Sequence, residues 1–266
     1  MEHMQISRYH GLGNDFLITF VEEVPHDAED IALKLCDRKK SIGADGLIFG
    51  TSSKSSDVFF TLLNSDGSRA EVSGNGLACF GHAIYRNDGS KELIKVETTT
   101  TEHTIQIKKS STDATFVEVS LNSPSNGPDF DDLRIDLGGV KHFRIASVDV
   151  GNPHLIVEVE DIEGIDLGEV GPKLEAFFLP TGCNIHLISI PSNQEIYARH
   201  WERGAGLTEA CGSGAVAAAW AAHQWDLVSG EVQVRMPGGV ATVTLREHPT
   251  YMCKTVYEGE FEVFDD

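Results

Sequence analysis

Two short stretches carry residue types that could do chemistry, Ser73-Gly-Asn-Gly76 and Cys211-Gly-Ser-Gly214. Each places a small hydroxyl or thiol directly before Gly-x-Gly and then runs into apolar residues, Leu77 to Ile84 in the first and Ala215 to Ala222 in the second. A loop that opens a buried helix in this way points several backbone N–H groups outward, with the positive end of the helix dipole behind them. An anion is welcome there. Two such starts, formed around Gly74, Asn75, Gly212 and Ser213, would grip the α-carboxylate of an amino acid and stabilise the charge that develops when its α-proton leaves. A thiol in the same position should have its pKa lowered from about 8.5, which makes Cys211 a candidate thiolate base.

Other polar residues suit a small zwitterionic ligand. Glu202 and Arg203 lie shortly before Cys211; Arg can hold a carboxylate by two parallel bonds, and Glu an ammonium. Asn14, Asn64, Asn152 and Asn184 fall in turns or at strand ends, where a lone Asn is often turn punctuation and a set of amides reads as hydrogen-bonding groups for an amino acid. His154, after Asn152-Pro153, reads as structural or substrate-shaping rather than a metal ligand. No His/Asp/Glu group has metal-ligand spacing along the chain, and the helix starts and thiol supply the anion stabilisation and base that a metal or pyridoxal phosphate would bring. Neither is expected.

The elements that position these residues occur twice. Ser73 and Cys211 are 138 residues apart, and Gly13-Asn-Asp-Phe-Leu-Ile18 recurs at the same offset as Gly151-Asn-Pro-His-Leu-Ile156. Gly43-Ala-Asp-Gly-Leu-Ile48 faces Gly182-Cys-Asn-Ile-His-Leu-Ile188 at an offset of 139. Three co-linear matches point to two copies of one α/β unit. Strands are expected at 4–9, 15–21, 47–50, 58–63, 93–98, 104–107 and 116–121, a helix at 27–37, and a buried helix after Ser73. The second half repeats this, with strands at 142–150, 155–159, 184–190, 196–200, 233–236, 241–245 and 255–264. Pro172 is expected in the first turn of a short helix ending at Phe177. The helix after Cys211 is apolar on nearly every face, so a sheet can curl round it. The expected fold is α/β (α+β), with two pseudo-symmetric domains, each a mixed, mostly antiparallel curled sheet around a central buried helix. The domains are 1–122 and 133–255, joined by the acidic, turn-rich 122–132, with 256–266 able to pair with the first half.

With 266 residues, 41 % of them apolar, the chain can bury two ordinary cores. A formal charge of −20 argues against nucleic acid or an anionic membrane as partner and reads as a soluble, salt-adapted surface; the partner expected from the polar residues above is a small-molecule amino-acid substrate. No membrane span or signal segment is evident, and the five scattered cysteines lack CxxC pairs, which points to reduced thiols and a cytoplasmic protein.

The blocks His10-Gly-Leu-Gly-Asn-Asp-Phe16, Cys36-Asp-Arg38 with Gly43-Ala-Asp-Gly46, Asn64-Ser-Asp-Gly-Ser68, Gly74-Asn-Gly76, Gly151-Asn-Pro-His154, Glu202-Arg-Gly-Ala-Gly206 and Ala210-Cys-Gly-Ser-Gly214 resemble, in order and from end to end, the signature blocks of the diaminopimelate epimerases. The resemblance implies a cofactor-independent enzyme that interconverts LL- and meso-2,6-diaminopimelate in lysine and cell-wall biosynthesis. It also implies two similar domains closing on substrate in a cleft between them, and a homodimer. One cysteine of that family removes the α-proton and another returns a proton from the opposite face. The two Gly-x-Gly helix starts would hold the α-carboxylate, and Asn64, Asn152, Asn184 and Arg203, helped by Glu202, the distal end.

The chain departs from that pattern at its most consequential position. Ser73 stands where the family has its first catalytic cysteine, and Ala78 where it has an Arg just before Cys79. A serine hydroxyl is not ionised near neutral pH without a base beside it. Three readings stay open from sequence: an epimerase weakened by an engineered or natural Ser73, a one-base elimination, dehydration or exchange started by Cys211, and a non-catalytic amino-acid-binding protein.

Overall fold

A computed structural model describes residues 3–70, 72–111 and 114–264; Glu71, next to the first Gly-x-Gly block, lies outside the described residues. In chain order the elements are β1 (His3–Gly11), β2 (Asn14–Phe20), α1 (Ala28–Leu35), β3 (Gly46–Thr51), β4 (Val58–Asn64), β5 (Arg69–Ala70), α2 (Gly74–Asp88), β6 (Leu93–Glu97), β7 (Glu102–Ser110) and β8 (Ala114–Ser120). They continue with β9 (Ser125–Asn126), β10 (His142–Asp149), β11 (Pro153–Val159), α3 (Leu167–Phe177), β12 (Asn184–Ser192), β13 (Glu195–Glu202), β14 (Gly206–Thr208), α4 (Gly212–Gln224), β15 (Glu231–Met236), β16 (Gly239–Thr244) and β17 (Thr250–Phe264).

The chain forms two compact units, residues 1–120 with 252–266, and residues 121–251. In the first, β1 pairs with β2, β2 with β3, β3 with β4, β4 with β6, β6 with β7, β7 with β8, β8 with β17, and β17 returns to β1. The sheet therefore closes on itself, and each of these eight strands has a partner on both sides. The helix α2 packs against β1, β2, β7 and β8, and every residue from Gly74 to Ala83 is buried. Outside the sheet, α1 lays Ala28, Ala32 and Leu35 on Leu17, Leu47 and Leu63.

The second unit repeats the plan. Its strands β10 to β13, β15 and β16 surround α4, whose Ala-rich faces let strands approach from several directions, while α3 covers Leu155, Val157 and Leu187 from outside. The repeat extends to register. The parallel pair Phe16↔Gly46 of β2 and β3 recurs 138 residues on as His154↔Asn184 of β11 and β12, and Val58↔Val96 recurs as Ile196↔Val234. The offset of 139 at Gly43 and Gly182 thus reflects a one-residue difference in the loop before β3 and β12, not in the strands.

Two expectations change. Pro172 lies in the middle of α3, not its first turn: the helix starts five residues earlier, where Asp166 caps it by accepting from the Glu169 N–H at 3.2 Å. The acidic 122–132 stretch is not a free connector, because Asn126 and Ser125 pair with Val148 and Asp149.

Candidate active site

In the first unit, Ser73 is the N-cap of α2. Its extended backbone (φ −130°, ψ 124°) turns Oγ back over the first turn, where it accepts from the Gly76 N–H at 3.1 Å. Gly74 and Asn75 are buried in that turn, and Asn75 Nδ2 donates to Asn14 Oδ1 at 2.6 Å. Asn14 Nδ2 donates in turn to Asp45 Oδ2 at 3.2 Å. Behind them Arg38 bridges Asp15 (3.0 Å to Oδ2) and Asp45 (2.7 Å to Oδ1), and Arg8 also bonds Asp15. Burial pushes the Asp15 carboxyl up, but the two guanidinium groups outweigh it and hold it below the usual carboxylate range. Asn64, exposed at the end of β4, donates to Ser68 Oγ at 3.0 Å within its own turn.

The second unit repeats the cap with sulfur. Cys211 is the N-cap of α4 in nearly the same conformation (φ −136°, ψ 112°), and Sγ accepts from the Gly214 N–H at 3.3 Å with Ser213 Oγ at 3.5 Å. Glu202, from the end of β13, hydrogen-bonds the thiol. The expectation of a lowered thiol pKa is overturned. Burial pushes the Cys211 thiol well above its ordinary value and the Glu202 charge adds to this; the Ser213 and Gly214 bonds oppose both and do not prevail. Sequence shows the helix start but not the desolvation. Cys211 rests as a thiol with a carboxylate at hand.

Behind α4 runs a chain of buried rings. Asn152 Oδ1 is 2.8 Å from His154 Nε2, His154 Nδ1 is 2.7 Å from His186 Nε2, and His186 Nδ1 is 2.6 Å from His200 Nδ1. All three histidines are fully buried, and burial pushes their pKa values down, to about 3 for His154 and His200 and well below the ordinary value for His186. His186 lies against the first turn of α4, where a Cβ at Gly214 would come within 2.4 Å of its ring, so only glycine fits. Sequence reading passed over His186 and His200. Their one signal is a histidine inside an otherwise apolar strand, and the β12–β13 register that sets them opposite each other is not written in the spacing.

Asn184 ties the end of β13 to β11: its Nδ2 donates to the Pro153 carbonyl at 3.1 Å and its Oδ1 accepts from the Arg203 N–H at 2.9 Å. The Arg203 guanidinium is exposed and donates to the Thr181 carbonyl at 2.8 Å, and its stem lies on Gly182, which is at φ +72°.

His154, His186 and Cys211 each offer a donor atom within 4.8 Å of the others, a group in space that no spacing in the chain foretold. Two imidazoles and a thiolate suit a zinc-like ion. The 2.7 Å His154–His186 contact is shorter than the roughly 3.3 Å between two ligand nitrogens about 2.05 Å from a tetrahedral metal, so a shared proton fits there and a metal would have to part the rings. A cavity of about 530 Å³ lined by Met4, Phe20, Ile31, Leu35 and Val263 includes none of the residues above.

The family described as diaminopimelate epimerase matches residues 6–125 and 146–263. The chain is 36% identical over 277 residues to the diaminopimelate epimerase of Caldanaerobacter subterraneus, covering 98% of this chain and 100% of that one. It is 36% identical over 252 residues to that of Desulfitobacterium hafniense, covering 89% of each. In fold it is similar to a hydroxyproline epimerase from Agrobacterium vitis, with a TM-score of 0.74 at 14% identity, over 98% of this chain and 92% of that one. The two matched caps on buried helices thus sit in a sequence that belongs, over nearly its whole length, to the diaminopimelate epimerase family.

Proposed function

We propose that this protein interconverts LL- and meso-2,6-diaminopimelate, on the route to lysine and peptidoglycan precursors, by proton transfer at one α-carbon without metal or pyridoxal phosphate. The observation that carries the reading is the matched pair of caps. Ser73 and Cys211 hold the same conformation at equivalent helix starts, each with its side chain on the N–H three residues ahead.

Cys211 exchanges the proton on one face of the α-carbon. As Glu202 takes the Sγ proton, the thiolate accepts the α-proton, and negative charge spreads into the substrate carboxylate, held by the N–H groups around Gly74, Asn75, Gly212 and Ser213. Ser73 Oγ–H reprotonates the carbanion on the other face, leaving an alkoxide that regains its proton from water; Glu202 gives its proton to the hydroxide so formed, and the resting state returns. That alkoxide is far more basic than a thiolate, so the Ser73 step is slow and the activity reduced. Asn14, through Asn75, steadies one helix start. Asn64, Asn152, Asn184 and Arg203, with Glu202, hold the distal ammonium and carboxylate.

The reaction suits the cytoplasm, where the five free cysteines stay reduced; among the described residues no helix is long and apolar enough to cross a membrane. A homodimer is the expected assembly.

Incubation with diaminopimelate in D₂O tests the reading. Exchange of the α-proton with inversion supports it, exchange without inversion points to a one-base site, and binding without exchange reduces the protein to an amino-acid binder.

A further inference from the structure

We propose that His186 and His200 are positioning residues: they fix the order of protons along the Asn152–His154–His186–His200 chain and so turn the Asn152 amide N–H, not its carbonyl, toward an anionic group of the ligand. This rests on the reading of Asn152 as a substrate contact.

A neutral imidazole has one donor and one acceptor nitrogen. Three links of 2.6 to 2.8 Å in series therefore admit only two orders. In the first, His200 Nδ1–H donates to His186, His186 Nε2–H donates to His154 Nδ1, and His154 Nε2–H donates to Asn152 Oδ1. In the second every bond reverses, and Asn152 turns its Nδ2 to His154. The two orders differ at both ends of the chain.

At the buried end, His200 Nε2 has no hydrogen-bond partner among the described residues. The first order leaves a bare lone pair there, the second an orphan N–H. Buried orphan N–H groups are the rarer of the two in folded proteins. A doubly protonated ring at any of the three positions would likewise leave His200 with an orphan Nε2–H, and would bury a charge as well. The burial that pushes His154 and His200 to about 3 works in the same direction. The first order is also the one in which Asn152 presents Oδ1 to His154, as observed.

At the other end the consequence is chemical. With Oδ1 bonded to His154, Asn152 has its two N–H donors to offer, and it favours a carboxylate. With the order reversed it would offer a carbonyl and favour an ammonium. His200, one strand beyond His186 and two histidines away from Asn152, thus selects the sign of charge that Asn152 accepts.

The first test uses the unmodified, ligand-free protein. Nitrogen NMR of the imidazoles at neutral pH should show His154 and His186 as Nε2–H forms and His200 as the Nδ1–H form. His154 as Nδ1–H, or any of the three charged, overturns the proposal.

The second test uses His186→Gln, which keeps a donor for His154 Nδ1, and His186→Leu, which does not. The Leu form should raise KM for diaminopimelate about ten- to hundredfold, the worth of one hydrogen bond to a charged group, with a smaller change in kcat. The Gln form should stay within about threefold of the parent, on the same scale. Equal KM values for the two overturn the proposal, whereas a merely structural role would move stability without separating them in KM. Expected NMR forms in a protein that does not process diaminopimelate overturn the functional reading alone. Epimerisation with the reversed forms overturns this proposal alone.

Discussion

Replacing Gly214 by Ala should destabilise the second unit, although Ala normally improves a helix. The added Cβ would meet His186 Cε1 at 2.4 Å and the two ring nitrogens at 2.9 and 3.0 Å, and the ring cannot retreat without lengthening its bonds to His154 and His200. Overpacking costs about 1–3 kcal/mol. Two weakened hydrogen bonds add about 0.5–1.5 kcal/mol each. The helix preference for Ala returns about 0.5–1 kcal/mol. The net is a loss of about 1–5 kcal/mol, centred near 3, read as a lower urea midpoint at unchanged m-value. In a His186→Ala background the clash partner is gone, and Gly214→Ala should be neutral or slightly stabilising, a coupling of about 3 kcal/mol. If Gly214→Ala is equally destabilising in both backgrounds, the ring contact is not the cause.

Thiol labelling of Cys211 should be slow near neutral pH and rise with pH through pH 9 without levelling, because burial and the Glu202 charge hold the thiol above its ordinary range. Glu202→Gln removes that charge and should move the pH profile of labelling to lower pH, while epimerisation slows because the acceptor of the Sγ proton is gone; a profile moved to higher pH would refute the electrostatic cause. Acid should weaken the second unit earlier than carboxylate titration would. His154, His186 and His200 have folded pKa values below the unfolded value of about 6.5, so their stabilising effect is complete above pH 6.5 and lost as pH falls from there toward about 3. The slope is about 1.4 kcal/mol per pH unit for each histidine that protonates on unfolding. Urea midpoints at pH 7 and pH 5 measure this, and identical midpoints would mean the chain is already charged or not buried.

Sequence spacing was enough to find both caps, because a nucleophile before Gly-x-Gly and an apolar run is a local signal, and the 138-residue repeat survives into strand register. What it could not show depends on burial or on partners far along the chain. His154 and His186 are 32 residues apart and His186 and His200 are 14 apart, and strand pairing alone joins them. The sign of the Cys211 shift went the other way for the same reason, since desolvation belongs to the fold and not to the Cys-Gly-Ser-Gly word. Asn184 was legible as a polar residue at a strand start, but its bonds to Pro153 and Arg203 show that it also holds the end of β13 in place. Pro172 misled because proline at a helix start is the commoner case, whereas the cap here is Asp166, six residues before the proline.

The central claim is that Ser73 and Cys211 are the two groups that exchange protons with one α-carbon, and restoring sulfur at position 73 tests it most directly. Turnover of diaminopimelate by Ser73→Cys is compared with the parent, alongside α-proton exchange in D₂O from each isomer. The parent should exchange the α-proton of the meso isomer faster than it inverts it, since only Cys211 can act as an effective base. Ser73→Cys should bring exchange and inversion into step and raise turnover by about 10²–10⁴, the range for one positioned acid or base. Unchanged turnover in Ser73→Cys, with activity abolished in Cys211→Ala, would contradict the two-base account and leave a one-base reaction in its place.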